Sequence, residues 1–180
     1  MSSSERNSPC FALLVPTLFT QSGMNYLTSN KDFFYEGEKA TLEIQMALED
    51  DFVKMANTIQ DQPTLVVCDR GVLDISVYMG NEIWNQITGD LKLTREHLLQ
   101  RYDAVVHLVT AADGAEQFYT TANNAQRYEK ADEEGLALAR DLDRRTLQAW
   151  EGHPHICVIG NEGGFQYKLD RVLQYIESIL

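Results

Sequence analysis

From about Glu36 to Gln60, apolar residues recur at intervals of three and four: Ala40, Ile44, Ala47, Leu48, Phe52, Met55, Ala56 and Ile59. Glu38, Lys39, Glu43, Glu49, Asp50 and Lys54 occupy the other faces, so the pattern predicts a long amphipathic helix, ended by Asp61-Gln-Pro63. The period then changes. Thr64-Leu-Val-Val-Cys68, Ala104-Val-Val-His-Leu-Val109 and Ile156-Cys-Val-Ile159 are continuous β-branched and apolar runs, the kind buried on both faces in a parallel sheet. Helical spacing returns over 132–150, marked by Leu138, Leu142 and Ala149. It returns again in a final helix carrying Phe165, Leu169, Val172, Leu173, Ile176 and Ile179. Shorter helices are expected over 74–86 and 94–101. Strands alternating with helices predict an α/β fold with a parallel sheet.

Neither an internal repeat nor a Pro-, Gly- or Ser-rich linker divides the chain, and 180 residues suit one domain with a sizeable core. The Ser-rich start, residues 1–12, is expected to be a disordered tail, with one domain over 13–180. Hydrophobic residues at 44% and charged residues at 23% give the balance of a soluble globular protein. Acidic residues outnumber basic ones by 27 to 15, giving a formal net charge of -12. That field opposes nucleic acid and anionic membranes, so an anionic ligand needs a local site. Cys10, Cys68 and Cys157 are far apart, with neither zinc nor disulfide spacing. The run Phe11 to Val15 is too short for a secretory or membrane-spanning segment. A cytoplasmic location is expected.

Open parallel sheets bind ligands at the carboxyl ends of their strands. Three junctions fall there: Asp69-Arg70-Gly71, Thr110-Ala-Ala-Asp113-Gly114 and Gly160-Asn161. Asp69 stands where a nucleotide-binding sheet places a carboxylate for Mg²⁺ or for a proton. On spacing alone, the commoner role for such a residue is to cap the next helix or pair with Arg70. Asp113-Gly114 equally reads as a turn, and Asn161 as a turn or helix-entry residue. His107 lies inside an apolar run and reads as a hydrogen-bonded core histidine rather than a catalyst. Trp84, Trp150, Phe118 and Tyr119 read as core or helix-packing residues.

The stretches Cys68-Asp-Arg-Gly71, Arg101 to Thr120, Trp150-Glu-Gly-His-Pro-His155 and Val158-Ile-Gly-Asn161, with Phe165 and Lys168, resemble the TRPL translocation defect protein family. That family shares its ATPase-like domain with the nicotinamide riboside kinase domain of NadR. The resemblance runs from about Val15-Pro16-Thr17 to the C-terminus. It implies a P-loop kinase-like three-layer sandwich around a parallel sheet, binding GTP or ATP with Mg²⁺ and phosphoinositide head groups. It also implies a role in trafficking membrane proteins such as TRP-type channels, peripheral at membranes. It places Asp69, as metal-associated residue, and Arg70 beside the phosphates, Arg127 in the lid segment and Asn161 in the base-binding loop.

The family's pattern opens with a strand, a Gly-rich loop ending in Gly-Lys-Thr or Gly-Lys-Ser, and a helix. Nothing like this precedes Val15; the first glycine is Gly23, followed by Met24. The sequence therefore reads as N-terminally truncated, without the backbone cradle, lysine or hydroxyl that hold phosphates and Mg²⁺. The remaining anion-binding candidates are Arg127, Lys130, Arg140, Arg144 and Arg145. Arg127, Arg140 and Arg144 are the phosphoinositide candidates, and Arg140 and Arg144 lie one helical turn apart. Six acidic residues from Glu129 to Asp143 are interspersed, so a solvated, ion-paired helix is an equal reading. The expectation is a non-catalytic binding protein. The competing readings are a small-molecule kinase of the nicotinamide riboside type and a truncated variant without independent function.

Overall fold

The computed structural model describes residues 30–119 and 132–180. The expected tail, the run Phe11 to Val15, and the residues Arg127 and Lys130 lie outside them. The chain divides into two compact units, residues 1–103 and 104–180.

Unit 1 is helical where described. Helix α1 spans Lys31–Ala56, and its first turn is capped by Asn30, whose side chain accepts from the Phe33 amide at 3.2 Å. This cap starts the helix five residues before the apolar period does. The helix also stops earlier than expected: the Asn57 amide still reaches Val53, but Ile59 bonds to Ala56 in a tighter turn. A 3₁₀ turn, Val72–Ile75, follows, then α2 (Ser76–Met79) and α3 (Asn81–Asp90). The single helix expected over 74–86 is broken by Gly80, whose φ of 74° and ψ of 154° favour glycine. Helix α4 (Arg95–Leu99) is capped by Thr94, which accepts from the His97 amide at 3.1 Å.

Two expectations for unit 1 are corrected. Thr64–Cys68 carries no strand pairing, and Val67 is 57% exposed. A β-branched run becomes a strand only against a ladder partner, and among the described residues it has none. The face of α1 is corrected too. Ile44, Leu48 and Met55 are exposed, while Leu42, Gln45, Glu49 and Ala56 are buried. Polar partners explain the reversal. Glu49 accepts from Tyr102 Oη at 2.8 Å, Arg101 Nη2 at 3.0 Å and Gln45 Nε2 at 3.0 Å, so its burial is compensated.

Unit 2 holds the sheet. Strands β1 (Val105–Leu108) and β2 (Ile156–Ile159) are parallel, with Val105 opposite Ile156 and Leu108 opposite Ile159. Helix α5 (Glu133–Ala149) connects them, capped by Asp132, which accepts from the Gly135 amide at 2.9 Å. Helix α6 (Gly164–Ile179) follows β2. His107 and Cys157 point to opposite faces of the pair, because His107 is in register with Val158. Asp143 of α5 bonds to His107, whereas Tyr175 of α6 lies near Cys157, its phenol raised first by burial and then by that neighbour. One helix therefore lies on each face, though Val158 and Leu108 stay 48% and 47% exposed.

Candidate functional site

Asp69 and Arg70 occupy the loop before the 3₁₀ turn in unit 1. Arg70 adopts φ 80°, in the left-handed region that non-glycine residues seldom enter. Its carbonyl accepts from Gln45 Nε2 at 3.2 Å. Two residues on, the Val72 amide donates to Tyr102 Oη at 2.7 Å, and the same hydroxyl donates to Glu49. Burial, followed by the Glu49 charge, drives the Tyr102 phenol far above its ordinary range, so it stays a donor. The loop is thus tied to α1 from both sides. Arg70 directs its guanidinium to Asp74 at 3.8 Å, and Asp74 is buried.

Asp69 does neither of the ordinary things its spacing suggested. Arg70 pairs with Asp74 instead, and the 3₁₀ turn begins at Gly71 with no side-chain cap. Its side chain is exposed, and its carboxylate makes no hydrogen bond or ion pair among the described residues.

In unit 2, the carboxyl ends of β1 and β2 carry a dense polar network. After the last ladder bond, Val109 N to Ile159 O at 3.0 Å, the chain turns through Thr110 to Gly114. Gly114, at φ 83°, closes the turn. Asp143 Oδ1 accepts from the Thr110 amide at 2.8 Å, and its Oδ2 lies 3.2 Å from His107 Nε2. His107 is 7% exposed, and Asp143 is the partner such an imidazole needs. Asn161 Nδ2 donates to Thr110 O at 2.8 Å and Asp113 O at 2.5 Å. Lys168 Nζ donates to Val109 O at 2.6 Å, and Arg140 Nη1 to Ala112 O at 2.7 Å. Burial lowers the Lys168 ammonium from its ordinary range, against the opposing pull of Asp143 and Glu162.

Arg140 and Arg144, one turn apart, have different surroundings. Arg140 reaches into the turn and lies 3.9 Å from Glu116, while Arg144 pairs with Asp141 at 2.5 Å and with Gln148 at 3.0 Å near the surface. Arg145 lies 3.9 Å from Asp141, as its spacing suggested. Arg127 lies outside the described residues. Trp150 is buried, but Phe118 is 70% exposed. The core reading fails for Phe118 because it belongs to the 3₁₀ turn Glu116–Phe118, all of which is exposed.

The sequence reading gave no site role to Asp143, Lys168, Glu49, Arg101 or Tyr102. Lys168 carried a signal: it sits three residues after Phe165 and four before Val172, on the apolar stripe of α6.

The arrangement suits the expected nucleotide and Mg²⁺ only in part. Asp69, exposed and without a partner among the described residues, can supply one carboxylate to a largely hydrated Mg²⁺. Asn161 has both amide hydrogens committed to carbonyls, which leaves only its oxygen for a base in this conformation. Among the described residues no group of three or more His, Cys, Asp or Glu could hold a metal ion. No described helix is long and apolar enough to cross a membrane.

The parallel pair, its layered helices and the polar loops at the strand ends define a P-loop-like α/β domain. A family model described as AAA domain matches residues 21–168, and the chain belongs to that family. Comparisons with curated proteins and with solved structures return no match.

Proposed function

We propose that the chain is a non-catalytic nucleotide-binding protein of the P-loop class, of the TRPL translocation defect type, taking GTP or ATP with weak affinity. Membership of the AAA domain family over residues 21–168 carries the nucleotide reading. Against catalysis stands the sequence itself: none of the 11 glycines in these 180 residues precedes a lysine, so the chain offers no phosphate-loop lysine of its own. In this reading Asp69 meets Mg²⁺ through water, Arg70 and Arg127 face phosphates, and Asn161 meets the base. Arg127, Arg140 and Arg144 then serve phosphoinositide head groups, with a TRP-type channel as the trafficked partner.

The exposed carboxylate of Asp69, without a partner among the described residues, also favours a second reading, a small-molecule kinase of the nicotinamide riboside type, with Asp69 accepting the substrate hydroxyl proton. Equilibrium binding of fluorescent GTP and ATP, with and without Mg²⁺, tests the first reading. It expects weak saturable binding that Mg²⁺ strengthens and that Asp69→Ala makes insensitive to Mg²⁺. Absence of binding at any concentration up to millimolar would remove it.

A further inference from the structure

We propose that Lys168, Asn161 and Arg140 form a clasp that holds the Val109–Gly114 turn shut over the carboxyl ends of β1 and β2, and that a nucleotide reaches those strand ends only when the clasp opens. The gating half of this inference rests on the nucleotide reading above.

Four carbonyls lie within five residues of this turn: Val109, Thr110, Ala112 and Asp113. Lys168 takes the first, Asn161 the second and fourth, and Arg140 the third. The three donors come from three separate places: α6, the loop after β2, and α5. Backbone carbonyls at a strand end ordinarily turn to water or to a ladder neighbour. Here side chains from α5, α6 and the loop after β2 converge on it. Asp143 adds a fourth hold through the Thr110 amide, and Thr110 Oγ1 meets the Ala112 amide at 3.3 Å. Ala112 is fully buried as a result.

The clasp is also self-contained in charge. Arg140 has Glu116 at 3.9 Å, and Asp143 and Glu162 act on Lys168. Two cations set among three carboxylates fasten the turn from both sides. Lys168 is therefore a positioning residue, acting through the turn rather than on a ligand. Asn161 has two states: closed, with its amide on two carbonyls, and open, with that amide released to a base. The cost of opening is then part of the weak nucleotide affinity.

Hydrogen exchange on the full chain, paired with equilibrium binding of GTP and ATP, tests the clasp. Lys168→Met should speed exchange of the 109–114 amides about tenfold while the β1, β2 and α5 amides keep their protection. Lys168→Arg, which keeps a cationic donor, should restore the turn's protection. Nucleotide affinity of Lys168→Met should equal or exceed that of the wild type. If Lys168→Met proves unfolded, Lys168→Leu, which also lacks a donor, replaces it with the same expectations. Unchanged exchange at 109–114 in these variants would overturn the clasp, and weakened nucleotide binding would overturn its gating role by making Lys168 a ligand contact. If no form of the protein binds nucleotide, the proposed function and the gating fall together, and the clasp itself is still decided by the exchange rates.

Discussion

Arg101 grips Glu49 through Nε at 3.3 Å and Nη2 at 3.0 Å, with only 10% and 4% of the two side chains exposed. The pair fixes the buried stripe of α1 against the segment that carries Tyr102, and Tyr102 in turn holds the Val72 amide.

Breaking the pair from the Glu49 side removes a buried acceptor. Glu49→Ala is expected to destabilise unit 1 by about 1–3 kcal/mol, since the buried Tyr102 hydroxyl loses its acceptor while Arg101 keeps Asp50 at 2.9 Å and the Met46 carbonyl at 3.1 Å. Replacing both members with apolar residues, Glu49→Leu with Arg101→Met, should cost less than either single change to alanine. Urea denaturation of the wild type, Glu49→Leu, Arg101→Met and the double variant completes a cycle; strict additivity would show that the pair carries no coupling.

The same logic applies to the buried His107. Asp143→Ala leaves the Thr110 amide and the His107 ring without their acceptor, a loss of about 2–4 kcal/mol. Asp143→Asn retains an acceptor for Thr110 and should lose about half as much. The denaturant midpoints measure this, and an Asp143→Ala midpoint equal to the wild type's would contradict the bonding described.

Lys168 gives a pH dependence with a definite sign. Burial lowers its folded pKa below the ordinary lysine value of 10.5, so the unfolded chain binds the proton more tightly. Its contribution opposes folding fully below the folded pKa, and the penalty fades as pH rises from that value towards 10.5. Lys168→Met should therefore flatten the alkaline rise in stability contributed by this group. Chemical denaturation at a series of pH values from neutral to about 10 checks it. An unchanged pH slope in the variant would show that the ammonium is not held below its ordinary range.

Arg140 and Arg144 should differ in stability and act together on lipid. Arg144 is exposed and paired near the surface, so Arg144→Ala should shift stability by no more than about 0.5 kcal/mol. Arg140→Ala frees the Ala112 carbonyl and should cost about 1 kcal/mol. Flotation with phosphoinositide-containing liposomes is expected only at low salt, given the net charge of -12, and should vanish in the double variant. Equal flotation of wild type and double variant would take these arginines out of the lipid site.

Periodicity located most of unit 2. Leu138, Leu142 and Ala149 marked α5 to within a residue or two, because Asp132 and the turn after Ala149 bound it by local chemistry. The runs around His107 and Val158 marked both strands because each finds its ladder partner in the other. Thr64–Cys68 has the same composition and no partner among the described residues, which no local pattern reveals. The face of α1 was misread for a related reason: Gln45 and Glu49 are buried by partners 25 to 53 residues away, a distance over which periodicity carries no information. Of the site, the junction residues Asp69, Asp113 and Asn161 were visible from their place after apolar runs. Lys168 and Asp143 were given no role, because their bonds go to a backbone turn that exists only once the sheet has formed.

The most direct test of the central claim is nucleotide turnover. Purified protein incubated with GTP or ATP and Mg²⁺ should release phosphate no faster than buffer, while still binding nucleotide weakly, because the chain has no Gly-Lys segment to hold the transferred phosphoryl group. Turnover above buffer that Asp69→Ala abolishes would contradict the account and establish the protein as an enzyme.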